Sequence, residues 1–408
     1  MKITSAQSVV LNAEQPEPYW GSFIYSTQLS KKYSGDDLFG GGDLTSVYPP
    51  RTRHLGHYPS AMSTVVVKIE TNDGVVGWGE SKATLAPRAV KEIIDELLFP
   101  LVINQDPHDV VAIAEKMDGL MRLRGHIQGF MQEAISGVDI ALWDLKGKVI
   151  GVPIWSLLGG RFSHRMRVYG SGVVGLPPGF SNADVESLKS LTEKIFRMGF
   201  RGVKIGLQGG VRNDIESVRT VREVAGNDKL VFADAGGLYD RLGAYKLLKE
   251  LEKYDLGWLE APVHFTDIET YIDLSRKSKI PVACDVIWSI PVITSILRRG
   301  GKVLFQPDVI KCGGITKMKK IADLVDAFGL PFAPHIAQGS AVEFAATFHT
   351  AISSPNFFIS EYWYQPNLLG NDIIDKPIKL VDGALEVPDG PGLGVNIVEE
   401  KISKYKVS

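Results

Sequence analysis

Seven polar residues punctuate the second half of the chain at nearly even intervals: Lys204, Asp234, Glu260, Asp285, Asp308, His335 and Glu361, separated by 30, 26, 25, 23, 27 and 26 residues. Each stands at or near the end of a short apolar run, RGVKIG, LVFADA, GWLEAP, PVACD, VLFQPD, PFAPH and FFISE. Asp234, Glu260 and Asp285 follow one another. A single carboxylate at such a position is ordinarily the partner of a Lys or Arg, but three brought to one partly desolvated mouth would repel strongly. A divalent cation relieves that repulsion, and oxygen-only ligands favour a hard ion, Mg2+ over Zn2+. Asp308 and His335 come next in order. A carboxylate beside an imidazole fixes its tautomer and raises its basicity, which makes a general-base dyad; the alternative for His335 is a packed histidine bonded to backbone.

These residues need a scaffold that turns strand ends toward one place. With the earlier run RVYGSG there are eight apolar runs in about 200 residues, each followed by a helical stretch, the pattern of successive βα units around a parallel sheet. A TIM-type barrel gathers its chemistry at the C-terminal strand ends, and a doubly wound sheet is the alternative. Ahead of it, STVVVKIETNDGVVGWGE (63–80) reads as two strands turning at Asn72, Asp73 and Gly74. Helical stretches follow near 88–99, 108–122 and 129–147, the last with Met131, Ala134, Ile135, Val138, Ala141, Leu142 and Leu145 on one face. Gly151 and Pro153 then mark a boundary. The expected organisation is an α+β capping domain over 1–150, a barrel over 151–364 and a C-terminal segment over 365–408 returning to the capping domain.

Composition sets outer limits. The 408 residues are 44 % hydrophobic and 23 % charged, with 45 Lys and Arg against 47 Asp and Glu, a net charge of −2. That balance suits a chain with a large buried core and supplies no basic field for nucleic acid or anionic lipid. Small molecules are the expected partners. No apolar run approaches the roughly 20 residues that span a bilayer, and the start lacks the apolar core of a signal peptide, so a cytoplasmic protein is expected. Cys284 and Cys312 have no zinc-type neighbours and are expected to be reduced and packed. GSGVVG (170–175) matches a dinucleotide-binding pattern, but Pro177, Pro178 and Gly179 follow where a helix should begin, which argues against a nicotinamide-dependent oxidoreductase.

Together the motifs resemble the enolase superfamily and, within it, the mandelate racemase subgroup. The resemblance spans AISGVDIALWDLKGK (134–148), LLGG (157–160), Lys204, the Asp234, Glu260 and Asp285 series, QPDVIKCGGIT with Asp308, APHIAQGSA with His335, and SEYW with Glu361. It implies a (β/α)7β barrel under a lid built from both chain ends, with Mg2+ binding a substrate carboxylate while His335 removes the neighbouring proton. It also implies that Lys204 stabilises the enediolate electrostatically, or partners the carboxylates, and that Glu361 hydrogen-bonds the substrate carboxylate or forms a structural ion pair. Homo-oligomerisation is implied as well.

Departures from the family pattern narrow the reaction. Lys204 is followed by Ile205 and Gly206 in place of a Lys-x-Lys pair. A base on the second face, which stereochemical inversion requires, is therefore missing. Elimination of water needs only one group, since His335 can take the α-proton and then protonate the departing β-hydroxyl. Asp308, five residues before Gly313, stands where cycloisomerase-like and dipeptide epimerase-like members carry a catalytic Lys, and Gly236 stands where some galactonate dehydratase-like members carry a His. Asp285, in ACDVIW, replaces the Glu of many sugar-acid dehydratases. The expected activity is dehydration of an aldonate or aldarate to a 2-keto-3-deoxy acid. A racemase or epimerase using His54 or His57 from the lid, and an inactive metal-binding barrel, are the alternatives. Arg51, Arg53, His54 and His57 in the irregular segment 20–58, with Arg122 in the segment 122–128, are candidate substrate contacts; an irregular stretch as long as 20–58 serves either as a binding lid or as a solvated loop.

Overall fold

The computed structural model describes residues 1–14, 61–177, 179–207, 210–336 and 339–407. Arg51, Arg53, His54 and His57 lie outside the described residues. The cap is an antiparallel sheet in the order β1 (Ile3–Glu14), β2 (Ala61–Thr71), β3 (Val76–Lys82). β2 and β3 are the strands expected around the Asn72, Asp73 and Gly74 turn, where Gly74 takes φ 78°. A helical stretch over 87–102 and helices α1 (Val110–Arg122) and α2 (Phe130–Ile150) complete it. β3 rests on the backbone of α2 without intervening side chains: a Cβ at Gly79 would come 1.9 Å from the Gly137 carbonyl oxygen, and one at Gly77 would come 2.3 Å from that of Ala141. Those glycines are required by the contact.

The barrel follows as β4 (Met166–Val174), α3 (Asn182–Arg197), β5 (Gly202–Gly206), α4 (Val211–Ala225), β6 (Leu230–Asp234), α5 (Arg241–Leu251), β7 (Leu259–Glu260), α6 (Ile268–Lys277), β8 (Val282–Cys284), α7 (Ile290–Arg298), β9 (Leu304–Phe305), α8 (Gly314–Ala327), α9 (Ala341–Ile352) and β10 (Ser360–Trp363). Strands β4 to β9 pair in parallel in chain order, and β10 pairs in parallel with β4, which closes the ring and excludes an open doubly wound sheet. Between β9 and β10 the ring runs through the isolated bridges Asp308 to His335 and Phe332 to Phe357. Pro331 and Pro334 remove two N–H donors there, so no continuous ladder forms. The architecture is a (β/α)7β barrel with a capping domain.

The barrel interior is layered. Tyr169, Phe232, Trp258, Ala283, Leu304, Ala333 and Ile359 form one apolar cluster, in which Phe232 stacks on Trp258 at 3.7 Å and Tyr169 lies 4.9 and 5.5 Å from them. Because successive side chains alternate faces along a strand, the inward positions two residues later are Ser171, Asp234, Glu260, Asp285, Gln306, His335 and Glu361. An aromatic floor thus underlies a polar ceiling.

The tail divides its contacts. β11 (Lys379–Val381) and β12 (Ala384–Glu386) form a hairpin that joins the barrel, with Ala384 and Leu385 opposite Arg167 and Met166 of β4. β4 begins before its neighbours, which leaves that edge open to β12. The chain reaches the cap only beyond it, through Leu393 N–H to Asp144 at 2.8 Å and a bridge between Leu11 and Lys406. The segment 365–408 expected on the cap is therefore shared between the two. Among the described residues no helix is long and apolar enough to cross a membrane.

His349 of α9 is buried, and its Nδ1 accepts the Trp155 N–H at 3.3 Å, tying the barrel to the turn after α2. Burial pushes its imidazole down to about 4. Since the unfolded chain takes up this proton first, its contribution to stability is complete above pH 6.5 and is lost as pH falls toward 4. Wild type should lose roughly 2–3 kcal/mol more than His349→Gln between pH 7 and 4.5, read from urea midpoints at both pH values.

Candidate active site

Strand register decides which side chains meet. Gly206, Asp234 and Glu260 are direct parallel partners across β5, β6 and β7, so the two carboxylates stand side by side at the rim. Lys204 starts one layer lower, beside Phe232, and its long side chain rises to them. Its Nζ lies 2.9 and 3.1 Å from the two oxygens of Glu260, 3.0 Å from Glu361 Oε1 and 3.7 Å from Asp234 Oδ2. Burial works against the ammonium, but Glu260 and Glu361 hold its pKa well above the usual lysine range. Glu260 Oε2 also accepts Trp258 Nε1–H at 3.2 Å and Gln306 Nε2–H at 3.0 Å, one donor from the floor and one from the ceiling.

Asp234 accepts the Gly236 N–H at 2.8 Å in a turn where Gly236 and Gly237 have φ 56° and 72°. Asp285 lies just past β8 and is the more open of the pair, with 20 % of its side chain exposed against 13 % for Asp234. The expected triad is not a ready cage: among the described residues no group of three His, Cys, Asp or Glu side chains is placed to hold a metal ion. The Lys204 ammonium sits among those carboxylates instead. It does not neutralise them. Burial first, then repulsion from Asp285 and its neighbours, pushes Asp234 up to about 6 and Glu260 up to about 8, despite Lys204 acting in the other direction. Oxygen-only donors whose ionisation is held back by burial and crowding fit a hard cation, which would take the place of their protons.

The other half of the rim is the dyad. His335 Nδ1 lies 3.0 Å from Asp308 Oδ2, whose other oxygen accepts the Ile310 N–H at 2.9 Å. Lys311 Nζ stands 3.5 Å from the same Oδ2. Burial alone would raise the Asp308 pKa, but Lys311, the His335 hydrogen bond and Lys82 hold it down to about 2. An ionised Asp308 can only accept, so Nδ1 carries the proton and Nε2 is left to face the mouth. There Nε2 is 3.3 Å from Glu361 Oε2 and 3.8 Å from Asp285 Oδ2.

The structure thus brings together Lys204, Asp234, Glu260, Asp285, Asp308, His335 and Glu361. It does not bring in Arg122, which pairs with Asp118 and approaches Glu115 at 3.7 Å in a groove between α1, α7 and α8 whose lining includes none of those seven; a substrate-contact role for it has no support in this arrangement. Sequence reading passed over Gln306, Lys311, Lys82 and Glu343. Gln306 and Lys311 flank Asp308 in QPDVIK, and the two-residue alternation from Leu304 marks Gln306 as inward. Lys82 ends a cap strand, so barrel spacing gave no signal for it.

Comparison with known proteins gives the family of the chain. Residues 187–401 match the enolase C-terminal domain-like family, and residues 50–159 match the mandelate racemase / muconate lactonizing enzyme N-terminal domain. The chain belongs to the mandelate racemase and muconate lactonizing enzyme family of the enolase superfamily. It is 31 % identical over 360 residues to an arabinonate dehydratase from Saccharolobus solfataricus, covering 86 % of this chain and 92 % of that one. It is 30 % identical over 355 residues to a D-galactarolactone cycloisomerase from Agrobacterium fabrum, covering 84 % and 91 %. Among solved structures, a member of the enolase superfamily from Agrobacterium tumefaciens superposes with TM-score 0.84 at 26 % identity, over 100 % of this chain and 99 % of that one.

Removing Lys204 should leave buried carboxylates facing one another with no counter-charge. Lys204→Met is expected to cost about 3–5 kcal/mol in metal-free buffer, measured as a shift of the urea midpoint, and the second change Glu260→Gln should recover part of it.

Proposed function

We propose that the protein is a magnesium-dependent dehydratase that converts a sugar acid, an aldonate or aldarate, to its 2-keto-3-deoxy product. The observation that carries this reading is the pairing of one imidazole, His335 on Asp308, with Gly206 at the position where a second base would stand. One base suffices for elimination. In this reading His335 Nε2 takes the proton from C2, and the enediolate that forms lies under the field of Lys204. The C3 hydroxyl then leaves as water, protonated by the same His335, and the enol settles to the ketone. The net change is loss of one water, with no oxidant or reductant. Asp308 orients the ring and stabilises its charged form, and Glu361 holds a substrate carboxylate oxygen.

Asp234, Glu260 and Asp285 would hold the magnesium ion, as the family resemblance implies. When bound it would supply the positive charge that anchors the substrate carboxylate and acidifies the neighbouring C–H. The likeness to arabinonate dehydratase supports water loss. The likeness to D-galactarolactone cycloisomerase favours a second reading, isomerisation of a sugar-acid lactone. Product mass separates the two, because only dehydration lowers it by one water.

Incubation with a library of mono- and diacid sugars and Mg2+ should yield a 2-keto-3-deoxy acid from at least one member; isomers of unchanged mass would overturn dehydration. His335→Asn should stop exchange of the α-proton with solvent deuterium while Mg2+ still binds, and continued exchange would remove His335 as the base. Asp234→Ala and Glu260→Ala should each lower kcat by at least 100-fold and abolish its response to added Mg2+; an unchanged response would remove them as ligands.

A further inference from the structure

One carboxylate at the rim is held unevenly. Glu260 Oε2 accepts from three donors, Gln306 Nε2–H at 3.0 Å, Trp258 Nε1–H at 3.2 Å and Lys204 Nζ at 3.1 Å. Among the described residues Oε1 accepts from Lys204 alone, at 2.9 Å. Lys204 reaches both oxygens and does not tell them apart; Trp258 and Gln306 do. A carboxylate offers about two lone-pair positions on each oxygen, so Oε2 is filled and Oε1 keeps a position open. Asp234 is divided in the same way, with Oδ1 taken by the Gly236 N–H at 2.8 Å and Oδ2 3.7 Å from Lys204 Nζ.

Both donors are fixed by the barrel. Trp258 lies two residues before Glu260, and its ring stacks on Phe232 with centroids 3.7 Å apart. Gln306 directly follows β9; its N–H donates to the Cys284 carbonyl at 3.0 Å, and the Pro307 carbonyl beside it accepts the His335 N–H at 3.2 Å. The Gln306 side chain is buried, and its Oε1 has no hydrogen-bond partner among the described residues. A bound cation requires Glu260 ionised, and an ionised carboxylate only accepts. The amide must then turn its NH2 group to Glu260 and leave its own oxygen orphaned. An orphaned buried acceptor weakens the fold, and an apolar side chain of the same length would avoid that cost, so stability does not explain Gln306.

We propose that Gln306 is a positioning residue that makes the site selective for Mg2+: with Trp258 it occupies Glu260 Oε2, so that this carboxylate offers a cation one oxygen, Oε1, and not two. This rests on the reading of Asp234, Glu260 and Asp285 as the metal ligands. Ca2+ gathers about six to eight oxygens and accepts both oxygens of one carboxylate, whereas Mg2+ is smaller and holds to octahedral geometry. A Glu260 restricted to one oxygen therefore denies Ca2+ part of its shell and leaves Mg2+ unaffected. One short run thus serves both halves of the mouth, Gln306 bonding Glu260 and Asp308 bonding His335.

The test is calorimetric titration of the metal-free protein with MgCl2 and with CaCl2, which needs no substrate. Gln306→Met keeps the length of the side chain and removes its donor. The ratio of the Ca2+ dissociation constant to the Mg2+ dissociation constant should fall about tenfold in this variant. A ratio within about threefold of the wild-type value would overturn the proposal, including the case where both constants weaken together, which is what a merely structural role produces. If Gln306→Met does not fold, Trp258→Phe takes its place with the same outcomes, since it removes the other donor to Oε2 and keeps a ring on Phe232. Glu260→Gln separates the two readings. Mg2+ binding that is absent from the wild type, or unchanged in Glu260→Gln, defeats the ligand assignment, whereas binding lost in Glu260→Gln beside an unchanged ratio in Gln306→Met defeats only the role of Gln306.

Discussion

One ammonium among too many carboxylates governs the barrel mouth. Lys204 bonds Glu260, reaches Glu361 and approaches Asp234, yet the acids around it remain hard to ionise together. Charge left over in a desolvated place is a driving force for binding whatever supplies the missing positive charge. The aromatic floor of Tyr169, Phe232 and Trp258 sharpens this, since it closes the barrel below the acids and lends them only the indole N–H of Trp258. A flexible or wetter floor would let water screen the same residues and blunt their pull.

The cap is part of this machinery through ordinary hydrogen bonds. Glu80 places its carboxylate on the N-terminus of α9, where unsatisfied N–H groups and the helix dipole both favour an anion. Asp139 accepts the Thr316 N–H at 3.0 Å and Ser136 accepts the Gly313 N–H at 2.9 Å, so α2 fixes the start of α8 in the same manner. The loop carrying Asp308 runs directly into the second of these anchors, at Gly313. These bonds account for Ser136 and Asp139 on the buried face of AISGVDIALWDLKGK, and Asp144 accepts the Trp78 and Leu393 N–H groups in the same way.

Much of this was legible in the sequence because a barrel repeats. Strand ends spaced by about one βα unit identified the polar residues of the rim, and the contact of Asp308 with His335 followed from their succession along the ring. The closed ring and the three cap helices were likewise written in periodicity. What stayed hidden was relational. No spacing rule says that Lys204 would bond Glu260 and leave Asp285 more open, since that depends on side-chain reach and on how far each strand extends. β1 pairs with β2 across the segment between them, and β12 finds the projecting edge of β4; neither match is encoded locally. Lys82 escaped for the same reason, as it belongs to a cap strand by sequence while its N–H bonds the Ile310 carbonyl, two residues past Asp308.

The contact of Gly79 with Gly137 has a reach beyond packing. Glu80 and Lys82 follow it by one and three residues, so the height at which β3 rides on α2 sets where the Glu80 carboxylate meets the start of α9 and where the Lys82 N–H meets the Ile310 carbonyl. A single added methyl group there would lift the strand and loosen the clamp on α9 from well outside the mouth. The seam between β3 and α2 consequently has no room for a side chain at Gly79 or Gly137.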